Sequence, residues 1–264
     1  NLKDVVFGNS SFIAVGDAGT ILKSREGRDW KEVPSGSGEN LRGVLYTVGL
    51  YLAVGENGTI ITSDDGSRWI EQENSISNDL NAAAYGGGIF VAVGQKGLIL
   101  SSLDAVNWEV QDSGTTNALL DVSFGAGIFV AVGDFATVLV STDGATWEKQ
   151  KTPALVTLIE GIVYTGSQFI AVGDFGLVLT SRDGKNWEEH SLPETVELKA
   201  LAASRREAVA VGADGAIYSS PDGSQWTREA SGTQNAFYGV ASGLGGFVAC
   251  GDFGSILQTQ QRPK

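Results

Sequence analysis

The sequence predicts an all-β, seven-bladed β-propeller of four-stranded antiparallel blades, with the last blade lacking its outer strand. Three observations carry this. Six tryptophans, Trp30, Trp69, Trp108, Trp147, Trp187 and Trp226, recur at intervals of 39, 39, 39, 40 and 39 residues. An apolar run closed by glycine occurs seven times, as FIAVG, YLAVG, FVAVG, FVAVG, FIAVG, AVAVG and FVACG. The final copy is shorter and has no tryptophan. A period this even argues for radial repetition, because it is too long for one coil of a parallel β-helix and carries no helical periodicity.

Repeats starting at residues 1, 40, 79, 118, 158, 197 and 236 make residues 1–264 a single propeller domain. Each copy reads as four strands in order. Strand A, as in LRGVLY (41–46), carries a small residue at its third position (Gly43, Ala82, Gly161, Ala200, Gly239), which suits the crowded channel end of a blade. Strand B is apolar throughout, as expected between two neighbouring blades. Strand C follows a G-x-x-G segment read as a hairpin turn with positive φ. Strand D, as in WEVQD (108–112), alternates and so lies outermost and half-exposed. The C–D turns of four copies read S-x-D-G-x-x-W, where Asp bonds local N–H groups and Trp covers the blade edge; Glu26 replaces Asp in the first copy and Ala105 replaces Gly in the third. Residues from 236 to 264 supply strands A, B and C only. The missing strand is expected from a segment before Asn1 or from a partner chain.

These S-x-D-G-x-x-W turns resemble Asp-box (bacterial neuraminidase) repeats, one residue shorter than the usual S-x-D-x-G-x-T-W. The whole pattern is similar to the Asp-box propellers that include photosystem II assembly-factor-like proteins. The resemblance implies the fold across all seven copies. It implies little about activity, since Asp-boxes are structural turns in sialidases, glycanases, receptors and assembly factors alike. The arginine triad, Tyr/Glu pair and acid Asp of sialidases have no counterparts that align here, and sialidases typically have six blades. The arginine-rich patch of the assembly factors is set against a strongly acidic chain here.

Composition narrows the partners. The chain has 18 Lys and Arg against 31 Asp and Glu, a formal charge of −13. That surface repels phosphate backbones, which argues against nucleic acid. No apolar run is long enough to insert in a membrane. The single Cys250 excludes an internal disulfide and stands where other copies have Val. His190, the only histidine, supports neither a Ser-His-Asp set nor a histidine metal site, so no catalytic set, metal or cofactor is expected. The absence of any methionine suggests numbering from inside a longer product, with a signal peptide removed. With the family resemblance, this gives an extracellular or periplasmic expectation.

Candidate binding residues are those that vary on a repeating scaffold. B–C turns and D–A loops share one face, and the second residue of strand A lies there at the channel mouth. Through the seven copies it reads Lys3, Arg42, Asn81, Leu120, Glu160, Lys199 and Tyr238. Tyr238, Lys3 and Arg42 come from consecutive blades and are expected to form a polar, partly cationic arc suited to a carboxylate or sulfate. Asp17 and Phe253 join it from the B–C turns. Phe135 and Phe175 occupy the position of Phe253 in other blades, and phenylalanine is no turn former. The expected function is a non-catalytic binding scaffold recognising a protein or glycan through the loop face and channel mouth. The alternative is a carbohydrate-active enzyme drawing on Glu160, Asp174, Asp134 and Tyr238, which would need paired carboxyls in a pocket.

Overall fold

The computed structural model describes residues 1–153 and 157–259. The last residues of copy seven, 260–264, lie outside the described part. The described residues form seven antiparallel sheets, six of four strands hydrogen-bonded in the order A, B, C, D and one of three in the order A, B, C. The A strands span Leu2–Gly8, Leu41–Thr47, Leu80–Gly86, Leu119–Gly125, Ile159–Tyr164, Leu198–Ala203 and Phe237–Gly243. Each packs against the A strands of both neighbouring blades, and blade 7 meets blade 1, so a closed ring of A strands lines the channel. Blade 7 ends at its C strand, Ile256–Gln258, among the described residues. No helix among them is long and apolar enough to cross a membrane.

Apolar patterning explains the layering. Strand B is buried along its length, as in Ser11–Gly16, because a neighbouring blade covers each face. The clusters accordingly run between blades: Phe169 and Leu179 of blade 5 pack with Val130, Val132 and Val138 of blade 4. Strand D is shorter than its alternating sequence suggests. WEVQD yields only Glu109–Gln111, and the D strands of blades 4 and 5 pair through two residues each.

The turns divide their glycines by purpose. In blade 5, Gly173 is extended, with φ −171°, so positive φ does not explain it. A Cβ there would lie 1.9 Å from the carbonyl oxygen of Leu158, so the position excludes any side chain. The next left-handed residues are Phe175 (φ 57°) and Gly176 (φ 74°). Positive φ, expected of the turn as a whole, falls on the second glycine and on the residue before it. Between strands C and D, Asp143 Oδ1 accepts the N–H groups of Ala145 and Thr146 at 2.9 and 2.7 Å. Those bonds, Thr146's foremost, hold its carboxyl down at about 2.

The third strand A position holds small residues in five blades because neighbouring backbones nearly touch there. A Cβ on Gly239 would sit 2.6 Å from the Asp4 Cα. Asp4 and Asp121 are the two exceptions, in blades 1 and 4. Asp4 accepts the N–H of Val5 at 2.7 Å and of Val44, in the next blade, at 2.8 Å. Asp121 repeats this with Val122 and Ile162, both at 2.8 Å. Both side chains keep some exposure to the channel but are enclosed by the ring of strands. Burial pushes each carboxyl up to about 7, against the backbone donors that favour ionisation.

A raised folded-state pKa means that the folded chain holds these protons more tightly than the unfolded one. Their contribution to stability is therefore largest below about pH 4 and falls as pH rises toward 7. Thermal melts should show a lower Tm at pH 8 than at pH 5. Asp4→Asn with Asp121→Asn should flatten that slope while costing about 1–3 kcal/mol per site, because an amide NH2 would face a backbone N–H. An unchanged slope in the double variant would place the titration elsewhere.

Candidate functional site

A register shift recurs at the same place in every blade. In blade 1, Leu2 pairs with Gly16 and Asp4 with Val15, leaving Lys3 unpaired between them. The same bulge isolates Arg42, Asn81, Leu120, Glu160, Lys199 and Tyr238. A β-bulge re-aims the extra residue, so the variable position is the one freed from the ladder at the channel mouth. Adjacent to six of the bulges, the B–C turn of the preceding blade abuts strand A. The turn Asp134–Ala136 meets the strand of Glu160, Asp174–Gly176 that of Lys199, and Asp252–Gly254 that of Lys3.

Bulged residues of neighbouring blades touch in two groups. In the first, Tyr238 lies between two ammonium groups, with Lys3 Nζ at 4.8 Å and Lys199 Nζ at 5.7 Å from its ring centre. The Tyr238 hydroxyl donates to Asp252 Oδ1 at 3.0 Å, and burial followed by this bond raises its pKa. Lys3 pairs with Asp17 at 3.4 Å. Lys199 pairs with Glu197 at 2.9 Å and Glu160 at 3.8 Å. In the second group, Arg42 binds Glu56 at 2.7 Å, Asp79 at 3.0 Å and Asn81 at 2.9 Å. Asn81 in turn donates to the Leu119 carbonyl at 2.7 Å.

The sequence-predicted arc is thus split. Lys3, Asp17, Tyr238, Lys199 and Glu160 come together, while Arg42 turns to Asn81 and two carboxylates of blades 2 and 3. Every cation of the arc already holds a carboxylate, so the free positive charge that an anionic ligand would need is neutralised in place. Glu197, Asp79, Asp252 and Glu56 also belong to this network; the B–C turn acids Glu56 and Asp252 were expected on this face, and Glu197 and Asp79 were not. Their signal was an acidic residue at the first repeat position or in the B–C turn, beside a variable bulge. Phe253 stands apart from the ion pairs, and its N–H is held by the Asn1 side chain at 3.0 Å.

Glu160, Asp174 and Glu197 place carboxylate oxygens within 4.8 Å of one another. Burial foremost raises the pKa of Glu160 and of Asp174, and the Glu197 charge adds to both. Lys199 sits against two of the three, where a bound cation would otherwise lie. The geometry therefore fits an internal ion-pair cluster better than a metal site. Elsewhere, His190 shares a hydrogen bond of 3.0 Å with Thr180, and Cys250 is buried, its thiol pushed up by that burial.

Three aromatic tips complete the face. Phe135, Phe175 and Phe253 are 64%, 70% and 87% exposed. All three are left-handed, at φ 54°, 57° and 54°. A bulky L-residue there costs about 1–2 kcal/mol. The corresponding residues in blades 1, 2, 3 and 6 are Ala18, Asn57, Lys96 and Asp214, in the same conformation. Exposure and strain together mark phenylalanines that folding does not require. Phe253→Asn should accordingly raise stability by up to about 1 kcal/mol, since asparagine tolerates this conformation. Loss of stability in a urea titration would show that the ring is buried in solution.

Residues 100–263, more than half of the chain, match the family model of the photosynthesis system II assembly factor YCF48. The chain belongs to this family. Among solved structures it is similar to YCF48 bound to D1 peptide, with TM-score 0.78 at 20% identity, covering 97% of this chain and 90% of that one. YCF48 from Cyanidioschyzon merolae gives 0.76 at 17%, covering 97% and 94%. A catalytically inactive virginiamycin B lyase from Staphylococcus aureus, with quinupristin, gives 0.87 at only 10%, covering 97% and 93%. At these identities the likeness is one of fold, shared by a peptide binder and a lyase. No curated protein matches the chain.

Proposed function

We propose that this YCF48-family propeller is a protein-binding module that receives a polypeptide segment on its B–C turn face, across the channel mouth. The observation that carries the proposal is the set of strained, exposed phenylalanines beside the bulged residues. Their rings offer apolar platforms, and Lys3, Asp17, Tyr238, Lys199, Glu160, Arg42 and Asn81 offer hydrogen-bonding groups around the mouth. A similar fold bound to D1 peptide supports a polypeptide ligand over a glycan. Lys199 lies against both Glu160 and Glu197, which disfavours that pair as the free acid and nucleophile of the carbohydrate-active alternative. An extracytoplasmic location belongs to the same reading and rests on the family resemblance. Cell fractionation tests it.

Peptide-display selection tests the binding face. Peptides enriched on the native protein should be lost from Phe135→Asn, Phe175→Asn, Phe253→Asn, a triple variant that uses the residue blade 2 already has at this position. Equal enrichment on both proteins would move the site off this face. A glycan array run alongside would overturn the polypeptide reading if it alone returned ligands.

A further inference from the structure

The aromatic tips are confined to one side of the turn face. Blades 4, 5 and 7 carry Phe135, Phe175 and Phe253, with the carboxylate of Asp214 at this position in blade 6 between them, while blades 1, 2 and 3 present Ala18, Asn57 and Lys96. The carboxylates are confined in the same way. Glu160, Asp174 and Glu197 crowd within 4.8 Å beside the turns that bear Phe135 and Phe175, with one lysine among them. Three carboxylates against one ammonium leave this sector short of positive charge. Elsewhere around the mouth the shortfall is smaller: Arg42 faces two carboxylates, and Lys3, beside Tyr238, faces Asp17.

Resting on the binding face proposed above, we infer that the partner segment is basic and apolar, and that it lies over blades 4 to 7. Its apolar side chains cover the phenylalanine rings, and its Lys or Arg groups reach the carboxylate cluster. Two physical arguments select this chemistry. Like charges held together in a half-buried site are relieved by an incoming cation, whereas an acidic segment would add to the repulsion. Guanidinium and ammonium groups also stack favourably on exposed aromatic faces, so one residue type serves both features. The strong negative charge of the whole chain would speed the approach of such a segment.

The test uses three synthetic twelve-residue peptides, read by fluorescence anisotropy against the full chain. One alternates Lys with Leu, one alternates Glu with Leu, and one alternates Lys with Ser. The Lys/Leu peptide should bind at least tenfold more tightly than either of the others. Phe135→Asn with Phe175→Asn should weaken it about tenfold at unchanged net charge. Glu160→Gln with Glu197→Gln should weaken it similarly and reduce its dependence on salt. Two outcomes would overturn the inference. If the Glu/Leu peptide binds best and the phenylalanine variant weakens it, the face is right and the charge assignment is wrong. If the Lys/Leu peptide binds but ignores the phenylalanine variant, its attraction is general electrostatics, and the face itself is unsupported.

Discussion

Gly173→Ala should unfold the propeller at much lower urea than the native chain, with a loss of about 3 kcal/mol or more. The added methyl carbon would lie 1.9 Å from the Leu158 carbonyl oxygen and 2.9 Å from its carbon. Both are backbone atoms, and the neighbouring Asp174 N–H donates to that same carbonyl. Relief therefore requires opening the junction between the B–C turn and the start of strand A. Gly38→Ala is the control, since nothing lies within 4 Å of the methyl group it would add. It should be nearly neutral. If both substitutions cost the same, the effect of Gly173 would be one of chain entropy and not of space.

Trp187→Ala should cost about 3–5 kcal/mol, the range for removing a large aromatic from a packed site. The side chain is 8% exposed and belongs to the cluster joining blades 4 and 5. Its Nε1 donates to the Gly184 carbonyl at 3.0 Å, so truncation also frees an acceptor in the C–D turn. Trp187→Phe keeps most of the apolar cover and should recover more than half of the loss. The midpoint of a urea titration distinguishes them. A loss below about 1 kcal/mol for the alanine variant would mean that the tryptophans cap the blades without holding them.

The blade count, the strand order and the truncated seventh blade were legible in the sequence because they depend on period and apolar patterning, which residues write directly. The bulge was not. The variable position could be seen as Lys3, Arg42, Asn81 and their equivalents, yet nothing in those letters shows that each is the unpaired residue of a ladder. That fact explains why the position varies: it carries no pairing or core constraint. The left-handed tips were half-written. Asn57 and Asp214 are residues that favour this conformation, so a self-alignment of the seven turns would have flagged Phe135, Phe175 and Phe253 as strained as well as exposed. Asp4 and Asp121 depart from the small residues at their position, and nothing in the letters shows the backbone N–H groups of the next blade that each carboxyl accepts. Charge pairing was the least legible feature, because Arg42 could not be assigned to Glu56 and Asp79 until the blades were placed around the ring.

The fold alone decides little about activity, since comparable propellers include a peptide-bound assembly factor and a lyase. The claim that this one binds polypeptide rests on which face carries the strained aromatics. Hydrogen exchange with a display-selected peptide bound tests that claim most directly. Amide protection should rise at the turns Asp134–Ala136, Asp174–Gly176 and Asp252–Gly254 and at the strand A starts beside them. The opposite face, including the C–D turn from Asp143 to Trp147, should exchange as in the free protein. Protection confined to that opposite face or to the outer D strands would contradict the account.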